Sequence, residues 1–160
     1  MTYFNSFNLV KTGAPEGCIG VGILVASDGR RFDLVYRGRD AHLWDGHALS
    51  DVLDRNSINP LIAAAVADAG SSVWGQAWPD ALALVTGIDR RRISRGRLEQ
   101  GGLPPKVLVG LTALAESPEI ARALGSLVIG SAYLTYAEIE ADQWPLMLER
   151  ARMISETMSD

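Results

Sequence analysis

Cys18 is the only cysteine in the chain, so no intrachain disulfide can form and nothing points to an oxidising compartment. Histidine is nearly as scarce. His42 and His47 flank Leu43-Trp44-Asp45-Gly46, a spacing that does not put both rings on one helix face, and no metal centre is expected. No apolar run reaches the length of about 18 residues that a membrane span needs. Residues 1–10 lack the basic start and apolar core of a secretory signal, so the expected location is cytoplasmic. A complete catalytic constellation is also missing. Cys18 lies among apolar residues and reads as a small hydrophobe. The glycines of Gly17-Cys18-Ile19-Gly20-Val21-Gly22 are out of order for a nucleotide loop and fit a strand bulge or a close backbone approach. Neither an enzyme nor a cofactor is expected.

What is present is an uneven distribution of charge. The chain of 160 residues carries a net −4, which argues against indiscriminate polyanion binding. Yet Arg90, Arg91, Arg92, Arg95, Arg97 and Lys106 face only Glu99 within residues 90–106, a local +5 that leaves −9 on the remainder. A basic patch on an acidic body is the footprint of a directed nucleic-acid binder. The arginines also follow Asp89, a good helix N-cap, and cations in a first helical turn oppose the macrodipole by about 0.3–1 kcal/mol each. An anionic partner would relieve that conflict.

Hydrophobic residues make up 48% of the chain, enough for a core without staples. Ile19–Ala26 and Phe32–Tyr36, separated by Ser27-Asp28-Gly29-Arg30, read as a β-hairpin. A short helix is expected over 48–55, with Asp51 and Asp54 exposed on it. From Asn59 the pattern turns helical: Pro60 suits a first position and Gly70 a C-cap, Pro79–Thr86 closes at Gly87, Asp89–Arg95 follows, and Pro104-Pro105 opens another helix. Leu98–Leu103, which contains Gly101-Gly102, is expected to be a loop. Ser117-Pro118-Glu119 reads as a helix cap followed by an N1 proline and opens the C-terminal region, where Gly125, Gly130 and Leu127–Ile129 could interrupt a helix. Met147, Ala151, Ile154 and Met158 trace a heptad-like seam. The expected fold is α+β, mainly α, divided into 1–57 (hairpin region), 58–116 (helix-turn-helix) and 117–160 (C-terminal helices).

A helix-turn-helix needs small residues where its helices meet and a glycine at the turn. Ala83 and Gly87 meet that need, and Ile88 and Ile93 would anchor the second helix. At 100° per residue with Ile93 inward, Arg91, Ser94, Arg95 and Leu98 point outward, with Arg90, Arg92 and Arg97 flanking. Trp74-Gly75, Trp78, Ala81-Leu82-Ala83, Gly87-Ile88, Ile93 and Pro104-Pro105-Lys106-Val107-Leu108 resemble the short helix-turn-helix proteins of proteobacteria and their phages, in the Cro/cI-like repressor class. The resemblance covers about residues 73–116. Thr86 stands where that class has an apolar residue, and Gly96 where it tends to have tryptophan. It implies a dimeric DNA-binding regulator with Arg90, Arg91, Ser94 and Arg95 on DNA.

The leading expectation is a sequence-specific transcriptional regulator that binds double-stranded DNA through Arg90, Arg91, Arg92, Ser94, Arg95, Arg97 and Lys106. It would be a homodimer through the C-terminal seam or the hairpin edge. The alternative is an interaction or inhibitor protein of phage or mobile-element type, whose N-terminal region binds a protein partner while the helix-turn-helix is autoregulatory. An enzyme built on Cys18, Asp40, His42 and His47 ranks last.

Overall fold

The computed structural model describes residues 3–159. An antiparallel meander of four strands comes first: β1 (Phe4–Asn8), β2 (Ile19–Ala26), β3 (Arg31–Arg37) and β4 (Asp40–Trp44), in that spatial order. Six α-helices follow: α1 (Arg55–Trp74), α2 (Trp78–Thr86), α3 (Arg95–Gly101), α4 (Pro105–Ala115), α5 (Ala121–Tyr136) and α6 (Trp144–Met158). The fold is therefore α+β and mainly α.

The expected hairpin is β2–β3, with Gly29 in the left-handed region at its turn. β1 and β4 extend it on either side. Arg37-Gly38-Arg39-Asp40 is a second tight turn, with Arg37 opposite Asp40 and Gly38 at φ 62°. Gly22 explains the glycines of β2. A Cβ there would strike the Asn8 carbonyl oxygen and come within 2.6 Å of the Phe7 ring, so the strand can approach β1 only without a side chain.

Several helical expectations need correction. Residues 48–54 form no helix; Leu49 bridges back to Trp44, and Ser50 Oγ accepts from the Leu43 N–H at 2.9 Å. Asp54 instead caps α1, its carboxylate accepting from the Asn56 N–H at 3.1 Å. Pro60 does not begin α1 but sits inside it, past the four free N–H groups of the first turn, so it cannot donate the i→i−4 bond to the Asn56 carbonyl. Gly70 is not a C-cap: it is buried within α1, and α1 runs on to Trp74 with Gly75 after it. The division at 57/58 falls inside this helix. Likewise, Gly125 and Gly130 do not interrupt α5, which is continuous, and α5 begins at Ala121 after Ile120, so Ser117 and Pro118 lie in the preceding turn and are not its cap and first residue.

One core joins sheet and helices. Val21, Leu24 and Leu34 pack with Ile58, Ile62 and Val66 of α1, Leu82 of α2, Ile93, Leu98 of α3, and Leu108 and Leu111 of α4. α1 lies against β1 and α4 against β2, so the basic segment between α2 and α4 is held by the same apolar layer as the sheet. α5 docks on α1 through Gly125. Its missing side chain admits Trp74, whose Nε1 donates to the Gly125 carbonyl at 3.0 Å.

Glycines in these helices have opposite roles. A Cβ on Gly70 would lie 2.9 Å from the Trp78 ring, whereas Gly110 of α4 faces open space. Gly70→Ala is expected to destabilise by about 1–3 kcal/mol through overpacking, although alanine is the better helix former. Gly110→Ala is expected to stabilise by about 0.5–1 kcal/mol. Denaturant unfolding of the two variants checks both signs.

Candidate nucleic-acid interface

α2 ends at Gly87, whose left-handed backbone (φ 70°) lets its N–H return to the Ala83 carbonyl. The polar Thr86 braces this turn. Its hydroxyl donates to the Leu82 carbonyl at 2.6 Å and lies 3.3 Å from the Ile88 N–H, which it accepts. Asp89 then acts as the cap expected of it, accepting from the Arg91 N–H at 2.8 Å.

The segment it caps differs from the expectation. Arg90–Arg92 form a single 3-10 turn, the chain extends through Ile93 and Ser94, and a second helix begins only at Arg95. Asp89–Arg95 is thus not one helix, Arg91 and Arg95 are not one helical turn apart, and Leu98–Gly101, expected in a loop, belongs to α3 with Gly102 as its C-cap. Two anchors account for the break. Ile93 and Leu98 are both buried, at 0% and 2% exposure, and five residues apart they would point in widely different directions on a continuous helix. Leu98 therefore does not face outward; it packs into the core while α3 lies mainly on α1. Gly96 sits in the first turn of α3 with open space around it.

The basic side chains divide into two groups. Arg90 is committed within the chain: its Nε donates to Asp80 at 2.5 Å and its Nη1 to the Ile93 carbonyl at 3.2 Å, tying α2 to the turn. Arg95 forms an exposed pair with Glu99 at 3.3 Å. Arg91, Arg92, Arg97 and Lys106 make no salt bridge among the described residues and are exposed. Arg91, Arg92 and Arg97 meet in an open cleft of about 420 Å³ that also holds Gln100, Gly101 and Gly102. Ser94 is exposed at the start of α3. Lys106 lines a different, mostly apolar groove with Trp74, Leu82 and Val107.

Sequence reasoning missed the second half of this surface. A cleft of about 450 Å³ abuts the first and shares Arg92, Gly101 and Gly102 with it. Its other wall brings Arg39 from the β3–β4 turn and Arg55 from the start of α1, with Tyr36 and Asn59 below. The Arg55 guanidinium donates to the Arg39 carbonyl. Burial pushes the Tyr36 hydroxyl above its ordinary pKa, and the charge of Arg55 pulls it partly back. Nothing in the local pattern around Arg39 or Arg55 marks them, because only the packing of the sheet beside α1 brings them to Arg92.

The residues weighed for other chemistry stay apart. His42 Nδ1 lies 2.9 Å from the Ser50 carbonyl, which can only accept, so Nδ1 carries the proton. His47 is exposed beside Asp45, whose carboxylate accepts from the His47 and Ala48 N–H groups and is held below the usual aspartate range by them. Cys18 is half-buried and free. Among the described residues no three His, Cys, Asp or Glu side chains gather as metal ligands, and no helix is long and apolar enough to cross a membrane. Compared with protein-family models, curated proteins and solved structures, the chain finds no match.

Proposed function

We propose that the protein is a sequence-specific double-stranded-DNA-binding regulator of the Cro/cI-like helix-turn-helix class, acting as a homodimer. The observation that carries this reading is the group of three arginines, Arg91, Arg92 and Arg97, exposed together without a carboxylate partner among the described residues on a segment pinned by buried Ile93 and Leu98. Unpaired guanidinium groups on a rigid support suit phosphate and guanine, which accept two parallel N–H donors. In this reading α3 enters the major groove, where Arg95, Arg97 and Gln100 reach base edges. Arg91, Arg92 and Lys106 contact the phosphates, and Ser94 sits at the backbone where α3 begins. Arg90 positions the turn through Asp80.

The dimer reading rests on surface area and on α6. The chain exposes 10129 Å², whereas a folded monomer of this mass exposes about 7,800 Å². The excess of about 2,300 Å² falls in the range that one subunit contributes to an obligate dimer, about 1,000–2,500 Å². α6 buries no residue in its own chain, while Met147, Ile154 and Met158 are exposed along the seam and Leu127, Tyr133 and Tyr136 are exposed on α5. A second copy of α6 is the occupant that fits such a seam, with the polar face formed by Glu149, Arg152 and Glu156 kept outward by its own salt bridges. A two-fold axis there would set two α3 helices on successive major-groove faces, about 34 Å apart.

The test is a titration of the protein with duplex from upstream of its own coding sequence and with a scrambled duplex, at two salt concentrations. Tighter binding to the native duplex, with a steep loss as salt rises, supports the reading. Equal, weak binding to both favours the interaction-protein alternative.

A further inference from the structure

We infer that the cleft between the β3–β4 turn, the first turns of α1 and the α3–α4 connection is a phosphate-binding site, with Arg39, Arg55 and Arg92 holding the anion above Asn59. No aspartate or glutamate lines this cleft, and none of the three arginines makes a salt bridge among the described residues. The second, independent observation is Asn59. It is 3% exposed within α1, and its Nδ2 has no hydrogen-bond partner among the described groups. A buried amide N–H without an acceptor is costly, and Asn59 lines this cleft, so an anion oxygen toward which its amide turns supplies one. Gly102 completes the wall. Its backbone is left-handed (φ 65°) and an added Cβ would lie 3.3 Å from Asn59 Oδ1, so glycine keeps the floor open. The Arg39 carbonyl anchors the Arg55 guanidinium, which reduces the freedom lost when an anion binds.

The volume of about 450 Å³ exceeds that of an inorganic phosphate and admits a phosphate ester with its attached group. That ester has two sources, a free nucleotide or the backbone of a bound strand, and the chemistry at the arginines is the same for both. The inference goes beyond the DNA reading, because a free ligand would occupy the cleft whether or not α3 reads a duplex.

The experiment titrates inorganic phosphate and a nucleoside 5′-monophosphate calorimetrically, and a duplex by fluorescence anisotropy. The proteins are the parent, Arg39→Ala, Arg39→Ala/Arg55→Gln and Arg91→Ala/Arg97→Ala. Arg39 is exposed in a two-residue turn, so the single variant keeps the test valid should the double variant lose its fold. The expected result is saturable binding of the free ligands that weakens about tenfold with each arginine lost and survives in Arg91→Ala/Arg97→Ala. Duplex affinity that falls about tenfold in Arg39→Ala, without binding of either free ligand, assigns the cleft to a strand phosphate. Free-ligand binding that is indifferent to Arg39 and Arg55 overturns the site. So does the absence of free-ligand binding together with unchanged duplex affinity in Arg39→Ala. Loss of duplex binding in Arg91→Ala/Arg97→Ala alone bears on the α3 reading and not on this cleft.

Discussion

Replacing Arg91 and Arg97 together by alanine is expected to weaken binding to the cognate duplex by about 2–4 kcal/mol, roughly 30- to 1,000-fold. Both side chains share one cleft and have no acidic partner in the chain among the described residues, so truncation removes the proposed DNA contacts without stranding an internal charge. The two losses differ in kind. Arg91 lies on the 3-10 turn before α3, and the proposed binding mode assigns it to phosphate. Its loss is expected to weaken all duplexes alike and to reduce the salt slope by about 0.9. Arg97 and Gln100 lie on α3 itself, and Gln100→Ala is expected to relax preference at one base position by about 1–3 kcal/mol. Arg90→Ala is the contrast. It breaks an exposed ion pair with Asp80, a loss worth about 0–1 kcal/mol in stability, and its effect on affinity is expected to be smaller than that of Arg91→Ala. Fluorescence anisotropy at two salt concentrations measures all of these. If the Arg91→Ala/Arg97→Ala variant binds the native duplex as tightly as the parent, this segment does not hold DNA.

Met147→Asp/Ile154→Asp is expected to turn a dimer into a monomer. Each unpaired carboxylate buried in an apolar seam costs several kcal/mol, and a two-fold interface carries four of them, so the dimer dissociation constant rises by more than about a thousandfold. The fold of the single chain should be indifferent to the change, since both residues are exposed and α6 contributes nothing to the core. Sedimentation velocity at micromolar concentration reads the mass, and circular dichroism confirms retained helicity. A parent protein that sediments as a monomer with and without DNA refutes the dimer. A variant that remains dimeric moves the interface to another face, such as the edge of β1.

Local chemistry was readable wherever one or two residues decide the backbone. The Asp28-Gly29 turn between two strand-like runs, the stop of α2 at Gly87 and the cap at Asp89 are all found where those residues place them. Pro104-Pro105 likewise opens α4. The helix over 48–55 failed because its residues are spent on the sheet: Leu49 bridges to Trp44, and the Leu53 N–H donates to the Ala41 carbonyl. Gly70 misled for a related reason, since it is small to admit Trp78 and not to end a helix.

The candidate site shows the same division. Composition and charge by themselves determined an α+β chain, mainly helical, with its cations concentrated between α2 and α4, because propensity, turn residues and net charge are properties of short windows. Tertiary packing alone decided which of those cations are free. Burial of both Ile93 and Leu98 broke the expected helix into a turn and a shorter helix, committed Arg90 to Asp80, and left Arg91, Arg92 and Arg97 together. It also carried Arg39 and Arg55 to Arg92 across 37 or more residues of chain. Sequence periodicity cannot anticipate that meeting, because it depends on how the sheet seats on α1 and not on any pattern within one element.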